Sequence, residues 1–192
     1  SMMRRLFKLA LEDARSQRYE RICVLFPDDG ASKQFGKSMV EVQRQLGIEL
    51  PVFTGYKRRH SSSESSLEAI VPSESEQTNQ LRGALVISVD DEINTGGTNI
   101  NTAEIMMQRY GVAAFWAIAP HGVFGDKGPE RLSAQGCPVD RIYVTDTIPI
   151  APRQARLASL LSSGKLIVVP WADDLAKVIW HGHWGFDIRA LR

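Results

Sequence analysis

Residues 84–98 limit the possible folds of this chain more than any other segment, because they change abruptly from an apolar run to a polar loop that precedes a helix. Residues 84–89 are almost all apolar, which is typical of a strand buried on both faces. Residues 99–110 carry apolar side chains at helical spacing. A loop that joins a strand of a parallel sheet to a helix is a common ligand-binding position.

The second half of this loop has the composition of a phosphate site. Gly96 and Gly97 allow the backbone to approach a ligand closely. Thr95 and Thr98 add hydroxyl groups, and backbone N–H groups ahead of a helix favour an anion. We therefore expect a phosphate monoester at this end of the loop.

The first half of the loop carries two adjacent carboxylates, Asp90 and Asp91. They would repel a phosphate and are better suited to sugar hydroxyls or a hydrated Mg²⁺. A phosphate cradle beside a carboxylate pair indicates a sugar-phosphate site. The alternative is a tight turn with solvated acids.

Residues 90–98, Asp-Asp-Glu-Ile-Asn-Thr-Gly-Gly-Thr, resemble the phosphoribosyl-pyrophosphate (PRPP) binding motif of type I phosphoribosyltransferases and PRPP synthetases. The motif alone does not separate these two classes. The resemblance implies that ribose phosphate or PRPP is bound by Asp90, Asp91, Asn94, Thr95, Gly96, Gly97 and Thr98, with Mg²⁺ at Asp90 and Asp91.

A basic run further upstream resembles PRPP synthetases in particular. Lys57-Arg58-Arg59 stands about thirty residues before the motif, where those enzymes enter a catalytic flexible loop. Lys57 and Arg59 fall on the family's catalytic lysine and arginine. A cationic cluster at the root of a lid could stabilise charge that develops in phosphoryl transfer. Composition alone also allows a solvated basic turn.

Two further positions are additional site candidates. Asp28 lies in a Pro-Asp-x-Gly loop that resembles the loop bordering the ribose phosphate in PRPP synthetases, although a turn-forming Asp explains it equally well. His121 follows the apolar run 112–119 in a turn that the family also has. It could contact a ligand, but a loop histidine bonded to backbone is the simpler interpretation.

Strands alternating with helices predict an α/β fold with a doubly wound, mostly parallel sheet and helices on both faces, as in type I phosphoribosyltransferases. We expect one domain over residues 1–192, with a mobile loop, or a hairpin with a disordered tip, at about 57–80. The active face should lie at strand ends near residues 27, 57, 90 and 120. The last helix, 171–179, should turn Leu175, Val178 and Ile179 inward.

Composition excludes several other classes. The net charge of +1 gives no argument for nucleic-acid or membrane binding, and no apolar run has membrane-spanning length. The N-terminus lacks the apolar core of a signal peptide. A lone pair of cysteines, Cys23 and Cys137, indicates a reduced, cytoplasmic protein. Neither has a neighbouring histidine or other base, which indicates structural thiols.

Two segments resemble known ligand-binding motifs but lack the residues or the spacing that those motifs require. Residues 30–38 end in Gly-Lys-Ser, but the spacing is one residue too long for a P-loop, and Phe35 and Met39 mark a helix interior. His181 and His183 lack a carboxylate or cysteine partner at ligand spacing, so we do not predict a zinc site.

The resemblance covers about residues 20–185 and matches only the C-terminal half of PRPP synthetases. Those enzymes have two tandem α/β domains, and the N-terminal one supplies much of the ATP site. The chain is therefore expected to be a fragment or a short relative. Asn94 and the Gly96-Gly97 pair depart from the usual synthetase pattern and favour a stand-alone phosphoribosyltransferase or a binding relative.

The favoured hypothesis is a ribose-phosphate pyrophosphokinase-like transferase that moves diphosphate from Mg·ATP to ribose 5-phosphate. The alternatives are a stand-alone type I phosphoribosyltransferase that uses PRPP, and a non-catalytic sugar-phosphate-binding relative. The implied partners are ribose 5-phosphate, PRPP and ATP. Since synthetase relatives assemble as dimers and hexamers, the resemblance also implies a homo-oligomer.

Overall fold

The computed structural model describes residues 1–59, 65–71 and 75–191, without the side chains of residues 57–59, 65–71, 75–76 and 189–190. In chain order the elements are α1 (Met2–Ser16), β1 (Ile22–Phe26), α2 (Asp29–Leu46), β2 (Val52–Arg59), β3 (Ser65–Val71), α3 (Ser75–Thr78), β4 (Leu85–Val89), β5 (Glu92–Ile93), α4 (Gly97–Tyr110), β6 (Ala114–Gly122), α5 (Gly128–Ser133), β7 (Arg141–Thr145), α6 (Gln154–Ser162), β8 (Leu166–Val169) and α7 (Ala172–His183). Short 3-10 turns lie at Asn79–Leu81, Ala151–Arg153 and Ile188–Leu191.

The strands form one sheet in the order β3-β2-β1-β4-β6-β7-β8, and β5 pairs with the end of β6. Strands β2, β1, β4, β6, β7 and β8 are parallel, while β3 runs antiparallel beside β2. The carboxyl ends of the parallel strands therefore meet at one edge of the sheet, which we call the carboxyl edge. The predicted mostly parallel α/β sheet is confirmed.

Helices cover both faces of the sheet. On one face, α1 and α2 pack over a core that includes Ile87, Trp116 and Tyr143. On the other face, residues of α4, α5 and α6 pack over Val86 and Phe115. Neighbouring residues of β4 thus enter different cores, which explains why its sequence is continuously apolar.

Strands β2 and β3 pair as an antiparallel hairpin in the part of this segment that the structure describes. The backbone of Thr54 pairs with Val71 and that of Arg59 pairs with Ser65, with an irregularity between Tyr56 and Lys57. This is the hairpin alternative of the two arrangements expected from the sequence. Residues 60–64 and 72–74 of the predicted mobile loop lie outside the described residues.

Strand β6 is longer than the sequence predicts and ends at Gly122 instead of Ala119. The predicted turn at Pro120 and His121 is therefore wrong. The register with β7 shifts between Ala119 and His121, and such an irregularity accommodates a proline inside a sheet. This extension carries His121 along the carboxyl edge beside β5.

The predicted orientation of the last helix is also wrong. Leu175 is 45% exposed and Ile179 is 61% exposed, whereas only Val178 is half-buried. Periodicity correctly locates an apolar stripe on α7, but it does not say which surface that stripe faces.

No helix within the described ranges, 1–59, 65–71 and 75–191, is long and apolar enough to cross a bilayer.

Candidate functional site

The strand order reverses at the junction of β1 and β4. From β1 the chain moves outward to β2, and after the hairpin it returns to the other side of β1 as β4 and continues to β6. In open α/β sheets, ligands bind in the crevice outside the strand ends at such a reversal. The loops that flank this crevice are residues 27–28 and 90–96, and both were singled out from the sequence.

The turn that begins α4 is built around Gly96. This residue is the helix N-cap and has a left-handed φ of 72°, which favours glycine. The Thr95 hydroxyl accepts a hydrogen bond from the N–H of Gly97 at 3.4 Å, and the N–H of Ile100 bonds the Gly96 carbonyl at 2.9 Å. The first turn of α4 thus presents backbone N–H groups that have no intrahelical acceptor, together with the hydroxyls of Thr95 and Thr98.

The carboxylate pair is anchored through its backbone to β6. The N–H of Asp90 donates to Ile118 at 3.0 Å, and the carbonyl of Asp91 accepts from the N–H of His121 at 3.2 Å. The Asp90 carboxylate accepts from the N–H of Asp91 at 2.9 Å. Asp90 is half-buried and Asp91 is exposed, so the pair opens to solvent at the carboxyl edge.

Residues 122–128 brace the motif loop from the outside. The N–H of Phe124 donates to the Ile93 carbonyl at 3.0 Å. The N–H of Gly125 donates to the side-chain oxygen of Asn94, also at 3.0 Å. A Cβ on Gly128 would lie 2.5 Å from the Asn94 carbonyl oxygen, so the start of α5 touches the loop backbone. The Asn94 side-chain oxygen therefore fixes the loop, in a position where the sequence suggested a ligand contact.

Asp28 caps helix α2 just after the end of β1. It is the N-cap of α2, and its carboxylate accepts a hydrogen bond from the N–H of Ala31 at 3.0 Å. Such a cap stabilises a helix by about 1 kcal/mol. The structure thus supports the turn-forming interpretation of Asp28, and it also places the residue at the crevice.

His121 lies in β6, and its ring contacts a side chain that the sequence did not reveal. Nδ1 of His121 lies 2.9 Å from the hydroxyl of Thr147, which in turn donates to the Pro120 carbonyl at 3.2 Å. Thr145 also donates to that carbonyl, at 2.7 Å. The expectation that the ring of His121 bonds to backbone is therefore wrong, because the ring pairs with the Thr147 side chain.

Arg153 is a second residue that sequence reasoning missed. Its guanidinium donates to the carbonyls of Gly122, Val123, Ile148 and Pro149 at 2.9, 2.7, 2.9 and 3.0 Å. It joins the loop after β6 to the loop after β7, and so stiffens the outer wall of the site. Burial, followed by the nearby charge of Arg156, lowers the pKa of Arg153. No local pattern marks this arginine, because its acceptors are carbonyls of other loops.

Lys57 and Arg59 lie on β2 with their backbones paired to Leu67 and Ser65. Strand β2 is parallel to β1, so its carboxyl end reaches the same edge as the motif loop. The structure does not describe the side chains of these two residues.

Three further features bear on function: a buried cysteine, the capacity of the chain to bind metal, and a cavity away from the motif. Burial raises the pKa of Cys23 to about 11, as expected for a structural thiol. Within the described part of the chain, no group of three or more His, Cys, Asp or Glu residues could hold a metal ion. A cavity of about 480 Å³, lined in part by Glu20, Cys23 and Pro51, lies at the amino-terminal ends of β1 and β2, opposite the motif.

The sequence of this chain matches one family model and several curated proteins. The family model described as "Phosphoribosyl synthetase-associated domain" matches residues 59–164. A ribose-phosphate pyrophosphokinase from Thermococcus kodakarensis is 36% identical over 126 residues, which cover 66% of this chain and 39% of that protein. One from Aquifex aeolicus is 28% identical over 172 residues, which cover 90% of this chain and 48% of that protein.

A solved structure shares the fold. The phosphoribosylpyrophosphate synthetase from Mycobacterium smegmatis superposes with a TM-score of 0.65 at 22% identity, over 95% of this chain and 51% of that one. Fold and motif together define an α/β protein of the phosphoribosyltransferase-like class. Within this class, the chain belongs to the phosphoribosyl synthetase-associated domain family, the family of the PRPP synthetases. It spans about half or less of the length of these relatives.

Proposed function

We propose that this protein binds ribose 5-phosphate at the loop 90–98 and transfers diphosphate to it from ATP. The observation that carries the proposal is the PRPP-type motif at the β1–β4 strand reversal of a chain that belongs to the PRPP synthetase family. Curated relatives are named ribose-phosphate pyrophosphokinases, which are transferases.

The 5-phosphate would bind at the start of α4. N–H groups of a first helical turn and the positive end of the helix dipole attract a phosphate. A Cβ on Gly97 would make only an ordinary van der Waals contact, with the Thr95 hydroxyl at 3.5 Å, so this backbone is not crowded by other parts of the chain. Gly96, Thr95 and Thr98 complete the cradle.

Asp90 and Asp91 would accept hydrogen bonds from the ribose hydroxyls. Their carboxylates are also suited to Mg²⁺, which usually takes one or two carboxylates and fills its remaining positions with water and substrate phosphates. When bound, Mg²⁺ would neutralise phosphate charge.

In the reaction, the anomeric hydroxyl oxygen of ribose 5-phosphate forms a bond to the β-phosphorus of ATP. The bond from that phosphorus to the α–β bridging oxygen breaks, AMP leaves, and the hydroxyl proton passes to solvent. Lys57 and Arg59, from the end of β2, would stabilise the negative charge on the transferring group. Positioning and charge stabilisation are the main protein contributions to phosphoryl transfer.

The first test is calorimetric titration with ribose 5-phosphate and with PRPP, each with and without Mg²⁺. Saturable binding that Thr95→Ala removes supports the site. Ser162→Ala, which shortens an exposed side chain at the end of α6, is the control and should bind normally. Absence of binding to either ligand contradicts the proposal.

The second test is AMP formation from ATP and ribose 5-phosphate. Lys57→Ala should abolish turnover while ribose 5-phosphate binding stays nearly intact, and Lys37→Ala on the exposed side of α2 should change neither. Equal loss of binding and turnover in Lys57→Ala would exclude the assigned role. Release of pyrophosphate from PRPP with a nucleobase would instead favour a phosphoribosyltransferase, and binding without any turnover would favour a non-catalytic relative.

A further inference from the structure

The cavity at the amino-terminal ends of β1 and β2 lies at the edge of the sheet opposite the motif loop, and the proposed reaction does not use it. Its volume of about 480 Å³ is in the range of small-molecule sites. Three segments that are distant in sequence bound it: residues 20–23, 49–51 and 79–80. A ligand in this cavity would therefore contact all three segments at once.

Hydrogen bonds fix the walls of this cavity. The N–H of Leu50 donates to the side-chain oxygen of Gln43 at 2.7 Å, which holds the second segment against α2. The thiol of Cys23 donates to the carbonyl of Gln80 at 3.7 Å, which holds the third segment against β1. The cavity is thus preformed, so a ligand does not have to order its walls when it binds.

The rim of the cavity carries two carboxylates, one from each of two segments. Glu20 precedes β1 and Glu49 precedes β2, and both side chains are exposed. Within the described part of the chain, neither carboxylate has a hydrogen bond or an ion pair. The rim also includes Arg21, whose guanidinium donates to the carbonyl of Arg82 at 3.2 Å. Two uncommitted carboxylates against one engaged guanidinium make the rim negative.

The end of α2 adds to the negative potential at this rim. The helix ends at Leu46 with Gly47 as its C-cap, and Glu49 follows two residues later. The carbonyl groups of a last helical turn carry partial negative charge and favour cations. The helix end and the two carboxylates therefore select for the same charge in a ligand.

The lower part of the cavity is apolar. Ile22 and Cys23 are buried, and Leu50 and Pro51 are half-buried beside them. An apolar surface beneath a polar rim is typical of sites that bind a ligand with a hydrocarbon body and charged ends.

We propose that this cavity binds an aliphatic diamine, with one ammonium group at Glu20, the other at Glu49, and the carbon stem on the apolar floor. Each ammonium donates hydrogen bonds to a carboxylate, and such charge-assisted bonds are stronger than neutral ones. The side-chain oxygens of Asn79 and Gln80 accept from the remaining ammonium N–H groups. Because the cavity and the motif loop lie at opposite edges of the sheet, the diamine does not compete with ribose 5-phosphate.

Titration of the whole chain with putrescine, a short aliphatic diamine, tests the proposal by calorimetry and by amide chemical shifts. Putrescine should bind saturably, and the largest shift changes should fall at residues 20–23, 49–51 and 79–80. Butylamine has the same stem but one ammonium group, and it should bind about tenfold more weakly or worse. Succinate, which reverses both charges, should not bind.

Matched variants test the role of each carboxylate. Glu20→Gln and Glu49→Gln should each weaken putrescine binding by about tenfold, because each removes one charge and keeps the size of the side chain. Glu104→Gln, at an exposed position of α4, is the control and should bind like wild type. Asn79→Phe should block the cavity and abolish binding. All four positions are exposed, so these substitutions leave the core unchanged.

The location of the bound diamine is decisive, because the motif carboxylates could also attract an amine. Shift changes centred on Asp90 and Asp91, or competition between putrescine and ribose 5-phosphate, would overturn the proposal. Absence of saturable binding, equal affinity for putrescine and butylamine, or equal weakening by Glu104→Gln would overturn it as well. A failure to bind ribose 5-phosphate would bear on the proposed function and leave the diamine site standing.

Discussion

A Cβ on Gly96 would lie 2.7 Å from Cγ of Leu132, so helix α5 packs directly on the turn that begins α4. Gly96 also has a φ of 72°, where residues with a side chain are strained. Two independent effects, backbone strain and a steric clash, therefore require glycine at this position of the motif.

Gly96→Ala should lower the free energy of unfolding and weaken ribose 5-phosphate binding. Backbone strain contributes about 1 kcal/mol and overpacking against Leu132 about 1–3 kcal/mol. Urea unfolding measures the loss of stability, and calorimetry measures the loss of ribose 5-phosphate binding.

Two comparisons separate strain from clash. Gly136 has a φ of 79° and no atom within 4 Å of a Cβ, so Gly136→Ala should show the strain alone. Adding Leu132→Ala to Gly96→Ala should recover part of the cost through relief of the clash. If the double variant loses the sum of both single effects, the two residues are not coupled.

Arg153→Met should destabilise the protein by about 2–4 kcal/mol, because four carbonyl groups lose a charged donor. Arg156→Met is the matched control. Arg156 is exposed, and its replacement should change the urea midpoint little. Similar losses in the two variants would show that the carbonyl contacts contribute little.

The two thiols should differ in reactivity. Burial raises the pKa of Cys23 to about 11, whereas Cys137 is half-buried. Because the thiolate is the reactive form, iodoacetamide at mildly alkaline pH should modify Cys137 in the folded protein and both cysteines in urea. Mass spectrometry counts the adducts, and Cys137→Ser should leave the folded protein unmodified. Rapid labelling of folded Cys137→Ser would contradict the burial of Cys23.

Asp13 should make stability depend on acid pH. Burial by itself raises the pKa of this carboxyl, but hydrogen bonds from Tyr143 and Gln17 and the charge of Arg141 outweigh it and hold the pKa below its ordinary value. A carboxyl with a lowered pKa stabilises the fold above its ordinary value, and this contribution is lost as pH falls through the folded-state pKa.

Asp13→Asn should therefore be less stable than wild type at neutral pH, and the difference should shrink below about pH 4 in urea unfolding. Glu12→Gln, which alters only an exposed pairing with Lys8, should change stability little at either pH. A difference for Asp13→Asn that stays constant with pH would show that the charge of Asp13 is not what stabilises the contact.

Several elements of the fold and the candidate site could be predicted from the sequence because their causes are local. The apolar run of β4 and the glycines before α4 indicate a strand, a loop and a helix within a few residues of one another. Helix α2 begins at a capping Asp28 and ends at Gly47, which has a φ of 62°. The alternation of such units along the chain is enough to predict a parallel sheet.

Other features depend on contacts between distant parts of the chain. The contact between Leu132 and Gly96, the Arg153 bonds to two loops, and the pairing of His121 with Thr147 join residues that no local pattern connects. The direction of α7 belongs to the same group, since its salt bridge links Arg5 to Asp174. The sequence by itself determined where the phosphate-binding loop lies and which fold class holds it, because backbone conformation and burial patterns follow from neighbouring residues. Only the tertiary structure decided which side chains brace that loop and which helix face stays open, because packing brings together residues that are far apart in sequence.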